Sequence, residues 1–546
     1  MQRDLRRLSD GQFDLIVVGA GIYGTAAAWD ASLRGLSVAI VDRSDFGGGT
    51  SFNSLKTVHG GIRELQSGNI AGLRKFVRER RALSRVAPHL VHPLPFVIPT
   101  YKRVSRHRWI MRVGFAINDL LAHDRNDLAD SSKHLPPSRL LSRKECLTLN
   151  PLIEPDGVTG GIEWHDCQMY NSDRVNLSFL LSAVAKGAVP ANYVECVGIL
   201  RRNRRIEGIV VRDRLGTEQF DVRGRVVLNG TGPWATTLLN TIVPELKHTL
   251  PQGLSSAMNM VLSRPMHGQH ALGGPAASRL LFVAPWRGLA LVGTSHEPFS
   301  GTPDSFVAKR SDIEHFISGV NQAFPRLNVG IEDVRLLHRG LLPTQATIGG
   351  AVQLLKASAV RDHRVDGIEG LLTVLGVRYT TARDTAHETI NTVFSLLDRT
   401  APPCRTNATP LVGGDIKNFD EFLRLSLATE TPGVSQRTRR RLALSYGTTH
   451  KDLLDALQST PSDRTELGSS CPITRAEVRH AVRHEMAVKL SDAVLRRTEA
   501  GSAGHPGNDA LRTAAAVMSE ELGWSPERVD AEIIDTTETY VLPHHA

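Results

Sequence analysis

The stretch SLKTVHGGIREL, residues 54–65, gathers Lys56, His59 and Arg63 around Gly60-Gly61. Cationic side chains beside a backbone that permits close approach suit an anion, lysine as a point charge and arginine as a planar fork. A charged loop running into a helix has the same composition, so the neighbouring elements must decide between the two. Proton transfer is the second chemistry on offer. His59, His296 in GTSHEP and His338 in LLHRGLL each carry an imidazole with an ordinary pKa of about 6.5, suited to a general base near neutrality. With 21 histidines in the chain, residue type alone selects none of them.

The residues before this stretch set its context. FDLIVVGAGIYG opens with an apolar run over 13–18 and continues as G-x-G-x-x-G at Gly19, Gly21 and Gly24. TAAAWDASLRG then reads as a helix, and SVAIVD as a strand that ends on Asp42. Strand, glycine turn, helix, strand and acid form the order of a dinucleotide-binding unit. Gly19 permits the tight turn, Gly21 lets backbone approach a pyrophosphate, and Gly24 lets helix and strand pack closely. The helix N-terminus faces the phosphates, and an acid about 20 residues on accepts from a ribose diol. That acid favours FAD or NAD over NADP.

The stretch from DLIVVGAGIYG to HGGIREL resembles the N-terminus of the FAD-dependent glycerol-3-phosphate dehydrogenases, in the D-amino-acid-oxidase-like flavoprotein superfamily. The resemblance continues through RERRALSRVAPHLVHPLPFVIP, NGTGPWA, LVGTS, LLTVLGVRYTTAR and VRHEMAVKLSDAVLRRT. It implies an α/β fold: a Rossmann-type FAD-binding domain, an antiparallel β substrate-binding domain and an α-helical C-terminal domain. It implies FAD as cofactor and a small anionic alcohol as substrate. Hydride would pass from a carbinol carbon to flavin N5, with quinone or oxygen as electron acceptor. By the same resemblance Thr50, Ser51, Lys56, His59 and Gly60 line the flavin, and Arg63 and Arg361 (in VRDH) reach an anionic group. Gly232, in NGTGPW, closes over the adenine side. Gly376, Arg378, Thr380 and Thr381 present donors to the flavin pyrimidine edge.

The sequence departs from the family at the substrate end. The family's histidine falls on Met258 or Asn259, its substrate arginine is Leu342, a tyrosine is Glu64, and a lysine is Arg378. Arg339, three positions before Leu342, points to the other face of a strand and is no simple substitute. His59, His338 and His296 are then the candidate bases. An amine or amino-acid oxidase of the same superfold, or a flavin-binding protein without turnover, stay open as alternatives.

The remaining composition is that of a globular protein, with 41% hydrophobic and 22% charged residues. The net charge of +9 is spread along the chain, which argues against nucleic acid and fits acidic small molecules or a membrane surface. Five scattered cysteines predict a reducing, cytoplasmic setting, and HEMAV at His484 lacks the second histidine of a zinc motif, so no metal is expected. No apolar run reaches the roughly 18 residues of a membrane span. Residues 102–120 mix basic residues with Trp109, Ile110, Met111, Val113 and Phe115, and in the family such a region attaches to the inner face of the cell membrane. A homodimer is left open. The expected organisation is an oxidoreductase region over 1–400, a linker at 401–414 and a helical domain over 415–546. FAD-binding segments (about 11–100, 170–245 and 346–400) alternate with substrate-domain segments (about 101–169 and 246–345). A capping box at Thr474 and Glu477 predicts a helix over 478–494.

Overall fold

The computed structural model describes residues 1–546 except 103–105, 248, 252, 267, 277–278, 349–350, 356 and 544–546. Arg103, Val104 and Ser105 of the basic stretch therefore lie outside the described residues.

Strand Gln12–Val18 is apolar and buried without alternation from Leu15 onward because both faces of its sheet are covered. It pairs in parallel with Val38–Val41 on one side and Gln219–Asn229 on the other. The full order is Ala359–Asp362, Leu371–Leu375, Gln219–Asn229, Gln12–Val18, Val38–Val41 and Val189–Ala191. The first of these runs antiparallel. Val194–Arg202 and Arg205–Asp213 add an antiparallel hairpin to Gln219–Asn229, so both runs return to the nucleotide sheet as expected. Helix Ile22–Leu33 carries alanines on nearly every face and is buried between helices Ser172–Ala185 and Ala382–Leu396.

A second, ten-stranded sheet is mostly antiparallel and includes Gly253–Leu262, Leu289–Phe299 and Val334–Ile348 side by side toward one end. It also takes Thr57–Val58 and Val91–Tyr101. The sheet thus begins well before residue 101, because the long pairing of Val91–Tyr101 with Val158–Met169 draws this segment away from the nucleotide sheet.

The linker is packed rather than free. Leu411 is buried and its N–H donates to the Val86 carbonyl (2.9 Å). Beyond it the described residues are largely helical, with a two-stranded ribbon, Glu466–Gly468 with Cys471–Thr474. The capping box forms, but its helix, Arg475–Glu485, stops at Met486 in the left-handed region (φ 58°). A separate turn of wide helix, Asp492–Arg497, follows. The break has a visible cause: Asp492 accepts the N–H groups of Val488 (3.0 Å) and Lys489 (2.9 Å), capping the second turn from within.

Candidate active site

A cavity of about 1640 Å³ runs between the two sheets. A pocket for one drug-sized ligand spans about 300–1,000 Å³, so this one has room for a dinucleotide and a second molecule. Gly19, Gly21, Asp42, Thr50, Ser51, Lys56, His59, Arg63, Gly232, Gly376, Arg378 and Thr380 all line it.

The dinucleotide end is built by close backbone approach. Gly19 has φ 99°, and a Cβ there would come within 2.7 Å of the Gly230 carbonyl oxygen. A Cβ on Gly24 would collide with the Gly19 carbonyl, so strand and helix can touch only through glycine. Gly21 caps the helix Ile22–Leu33 without a side-chain bond, and the Ile22 N–H donates to Ser51 Oγ (3.0 Å). Asp42 accepts from Ala20 N–H (2.7 Å) and from the N–H and hydroxyl of Ser44 (2.9 and 3.1 Å). A carboxylate offers about four acceptor positions, so one is left for a ribose hydroxyl. Across this end, Trp234 donates its indole N–H to Asp304 (2.8 Å), which is paired with Arg43. This wall was not legible in the sequence, since its members lie far apart in the chain.

At the other end Arg63 lies over the Phe282 ring (5.3 Å) and donates to the Leu280 carbonyl (3.2 Å). Phe282 continues into Phe96 and Trp164, whose rings are 5.0 Å apart. Arg106 lines the same cavity. Arg378 donates to Glu64 (2.7 Å), and Asn69 donates to the other Glu64 oxygen (2.7 Å). Two departures from the family pattern therefore neutralise each other.

His59 stacks on Phe76 at 4.5 Å. Its enclosure, then the charges of Arg378, Arg63 and Arg80, push its pKa down to about 3. It is neutral at physiological pH and a weak base. Asn259, Thr294 and His296 line the floor, and the Thr294 hydroxyl donates to Asn259 (2.7 Å). Met258 is buried in the core on the opposite face, so it is Asn259 that stands in the site. Leu342 lines the cavity and Arg339 does not.

Four expected site residues need correction. Arg361 sits on the antiparallel edge strand, is 41% exposed and is bonded to Asp366 (2.5 and 3.1 Å), outside the cavity. His338 is buried behind the cavity, edge-on to Phe52 (5.0 Å), with neither ring nitrogen hydrogen-bonded. Burial, then the charge of Lys56, drives its pKa well below the ordinary value. Gly60 is not among the cavity-lining residues; its N–H donates to Asp166 (2.6 Å), the partner of Arg80. Thr381 is buried one residue past the lining, at the N-cap of helix Ala382–Leu396. Lys56 lines the wall as expected, and its ammonium donates to the Phe52 carbonyl (2.7 Å) and the Ser172 hydroxyl (2.9 Å).

Residues 14–373 match the model of the FAD dependent oxidoreductase family. The chain belongs to this family. Residues 404–529 match the C-terminal domain of alpha-glycerophosphate oxidase. A glycerol-3-phosphate dehydrogenase of Synechocystis is 31% identical, with 97% of each chain covered. The aerobic glycerol-3-phosphate dehydrogenase of Staphylococcus aureus is 27% identical over 96% of this chain and 94% of its own. The solved glycerol-3-phosphate dehydrogenase from Bacillus halodurans, complexed with FAD, superposes with a TM-score of 0.73 at 23% identity, covering 98% of this chain and 95% of that one. This FAD-dependent oxidoreductase is thus of the glycerol-3-phosphate dehydrogenase type, and FAD is its cofactor. The glycine cradle, the helix N-terminus and Asp42 fit that group.

Proposed function

We propose that this oxidoreductase oxidises a small anionic alcohol, glycerol 3-phosphate or a related compound, and passes the electrons to quinone or oxygen. The observation that carries this reading is the continuity of one cavity from the glycine cradle to Arg63 and Arg106. Bound FAD supplies the hydride acceptor. Arg63 binds the anionic group; its guanidinium is held by Phe282 and the Leu280 carbonyl, which fixes its direction. Asn259 and Thr294 orient the alcohol from the sheet floor. His296 takes the hydroxyl proton, because it lines the cavity while His338 does not and His59 is too weakly basic. The aromatic wall of Phe96, Trp164 and Phe282 excludes water around the reacting carbon.

The exposed face of helix Arg108–Leu121 supports attachment to a membrane surface. Trp109 is 61% exposed, Val113 59% and Leu120 72%, beside Ile110 and Ile117. Among the described residues no helix is long and apolar enough to cross a membrane.

Anaerobic bleaching of the bound flavin tests the substrate reading. Glycerol 3-phosphate or another anionic alcohol is expected to reduce the flavin, and His296→Asn to slow that step by about 10²-fold or more, the usual share of a general base. Bleaching by an amine and by no anionic alcohol would overturn the reading.

A further inference from the structure

We infer that the C-terminal helical domain is part of the FAD site, with Arg496 and Arg497 as positioning residues that hold, through Asp45, the loop closing over the dinucleotide.

The loop over 45–51 leaves strand Val38–Val41 and supplies Gly47, Gly48, Gly49, Thr50 and Ser51 to the cavity wall. Its cavity side touches the cradle directly: Gly47 N–H donates to the Ala20 carbonyl (3.0 Å), and Ser51 Oγ receives the first N–H of helix Ile22–Leu33 (3.0 Å). A loop so rich in glycine has high conformational entropy when free. Something must hold it, and the other end shows what does.

Asp45 is 1% exposed, and both its oxygens are taken by the C-terminal domain. Arg497 donates to each of them (2.8 and 2.6 Å), and Arg496 donates to one (2.5 Å). Arg497 itself is 1% exposed and donates back to the Glu485 carbonyl (2.9 Å). Asp492 completes the charge balance, bonded to Arg496 (2.9 Å) and to the Tyr193 hydroxyl (2.7 Å). Two carboxylates and two guanidiniums are thus buried together, with Asn192 also donating to Asp45 (3.2 Å).

A buried ion pair contributes little net stability over an apolar core, but it fixes one geometry, since any displacement strands a charge. Here the geometry fixed is that of Asp45, two residues before the first cavity-lining glycine. The wide helical turn Asp492–Arg497 serves the same end, since it brings both successive arginines, 496 and 497, to one carboxylate. Linkage then runs both ways: if the clamp favours the FAD-bound loop, FAD favours the clamp.

The test compares FAD affinity with folding. Apoprotein of the double variant Asp45→Asn/Arg497→Met, which removes both charges together, is titrated with FAD while flavin fluorescence is followed. FAD is expected to bind at least tenfold more weakly, with the far-UV circular dichroism of the wild type. Arg497→Lys, which keeps the charge and one donor, is expected to fall between. An unchanged dissociation constant in the double variant would overturn the inference. Hydrogen exchange on the wild-type chain decides the matter without any variant. FAD should slow exchange in residues 488–498 as well as in 45–51, and protection confined to 45–51 would equally overturn it.

Discussion

Glu64 and Arg378 stand 314 positions apart and meet at 2.7 Å in the cavity wall. Read singly, each is a liability: Glu64 sets a negative charge near an anion site, and Arg378 replaces a shorter cation. Paired, they cancel and leave Arg63 and Arg106 to set the charge of the substrate end. Glu64→Gln should therefore free the Arg378 guanidinium, which stays anchored over Phe76 (5.0 Å). Competitive inhibition by inorganic phosphate is expected to tighten about fivefold, near the 1 kcal/mol of a partly exposed ion pair. An unchanged inhibition constant would show that the pair does not govern the charge felt by ligands. Gly24→Ala is a harder break. Its Cβ would meet the Gly19 carbonyl, backbone that cannot swing aside, so the purified variant should lose the yellow colour of bound flavin.

Elements differ in how far the sequence discloses them. The glycine turn, its helix and Asp42 were legible because each meets a local requirement: a positive φ at Gly19, a collision avoided at Gly24, an acid at a strand end. The partners of those elements were not. Arg361 looked like a ligand by its motif, yet it lies on an edge strand beside Asp366, and no local pattern separates an edge arginine from one facing a cavity. His338 shares a strand with Leu342, but burial behind Phe52 removes it from the site. Helix Arg108–Leu121 forms within the stretch that mixes basic and apolar residues. Phe115 packs against Trp164, and Trp109, Val113 and Leu120 face outward. An exposed apolar face of this size beside basic residues suits a lipid interface, as proposed above. Trp109→Glu/Leu120→Glu is expected to abolish co-sedimentation of the holoenzyme with vesicles containing anionic lipid. Activity with a soluble dye should persist, since neither residue lines the cavity. Equal sedimentation of variant and wild type would refute attachment through this face.

At the scale of the whole molecule, the two domains are joined by buried charge, and this makes their union sensitive to acid. Burial alone would raise the Asp45 carboxyl, but Arg497 and Arg496 outweigh it and hold the pKa at about 2. Burial would likewise raise Glu485, yet Arg174, bonded at 2.7 Å, with His480 brings it to about 2. Unfolded, such groups titrate near 3.9 and about 4.3. Between these values and 2 the unfolded chain binds more protons than the folded one, so stability rises with pH. The contribution of these two groups is present above about pH 4.5 and is lost as pH falls toward 2. Both pairs lie between the C-terminal helices and the FAD-binding half, and Asp45 also anchors the loop over the dinucleotide. Acid should therefore release FAD and separate the domains in one transition below about pH 4, followed together by flavin fluorescence and near-UV circular dichroism. Arg497→Met removes the cation that does most to depress Asp45 and leaves its carboxylate buried with less compensation. Its transition is expected at higher pH than that of the wild type. If FAD leaves well before the near-UV signal changes, cofactor and domain contact are not coupled through these carboxylates, and the clamp at Asp45 does not control the cavity.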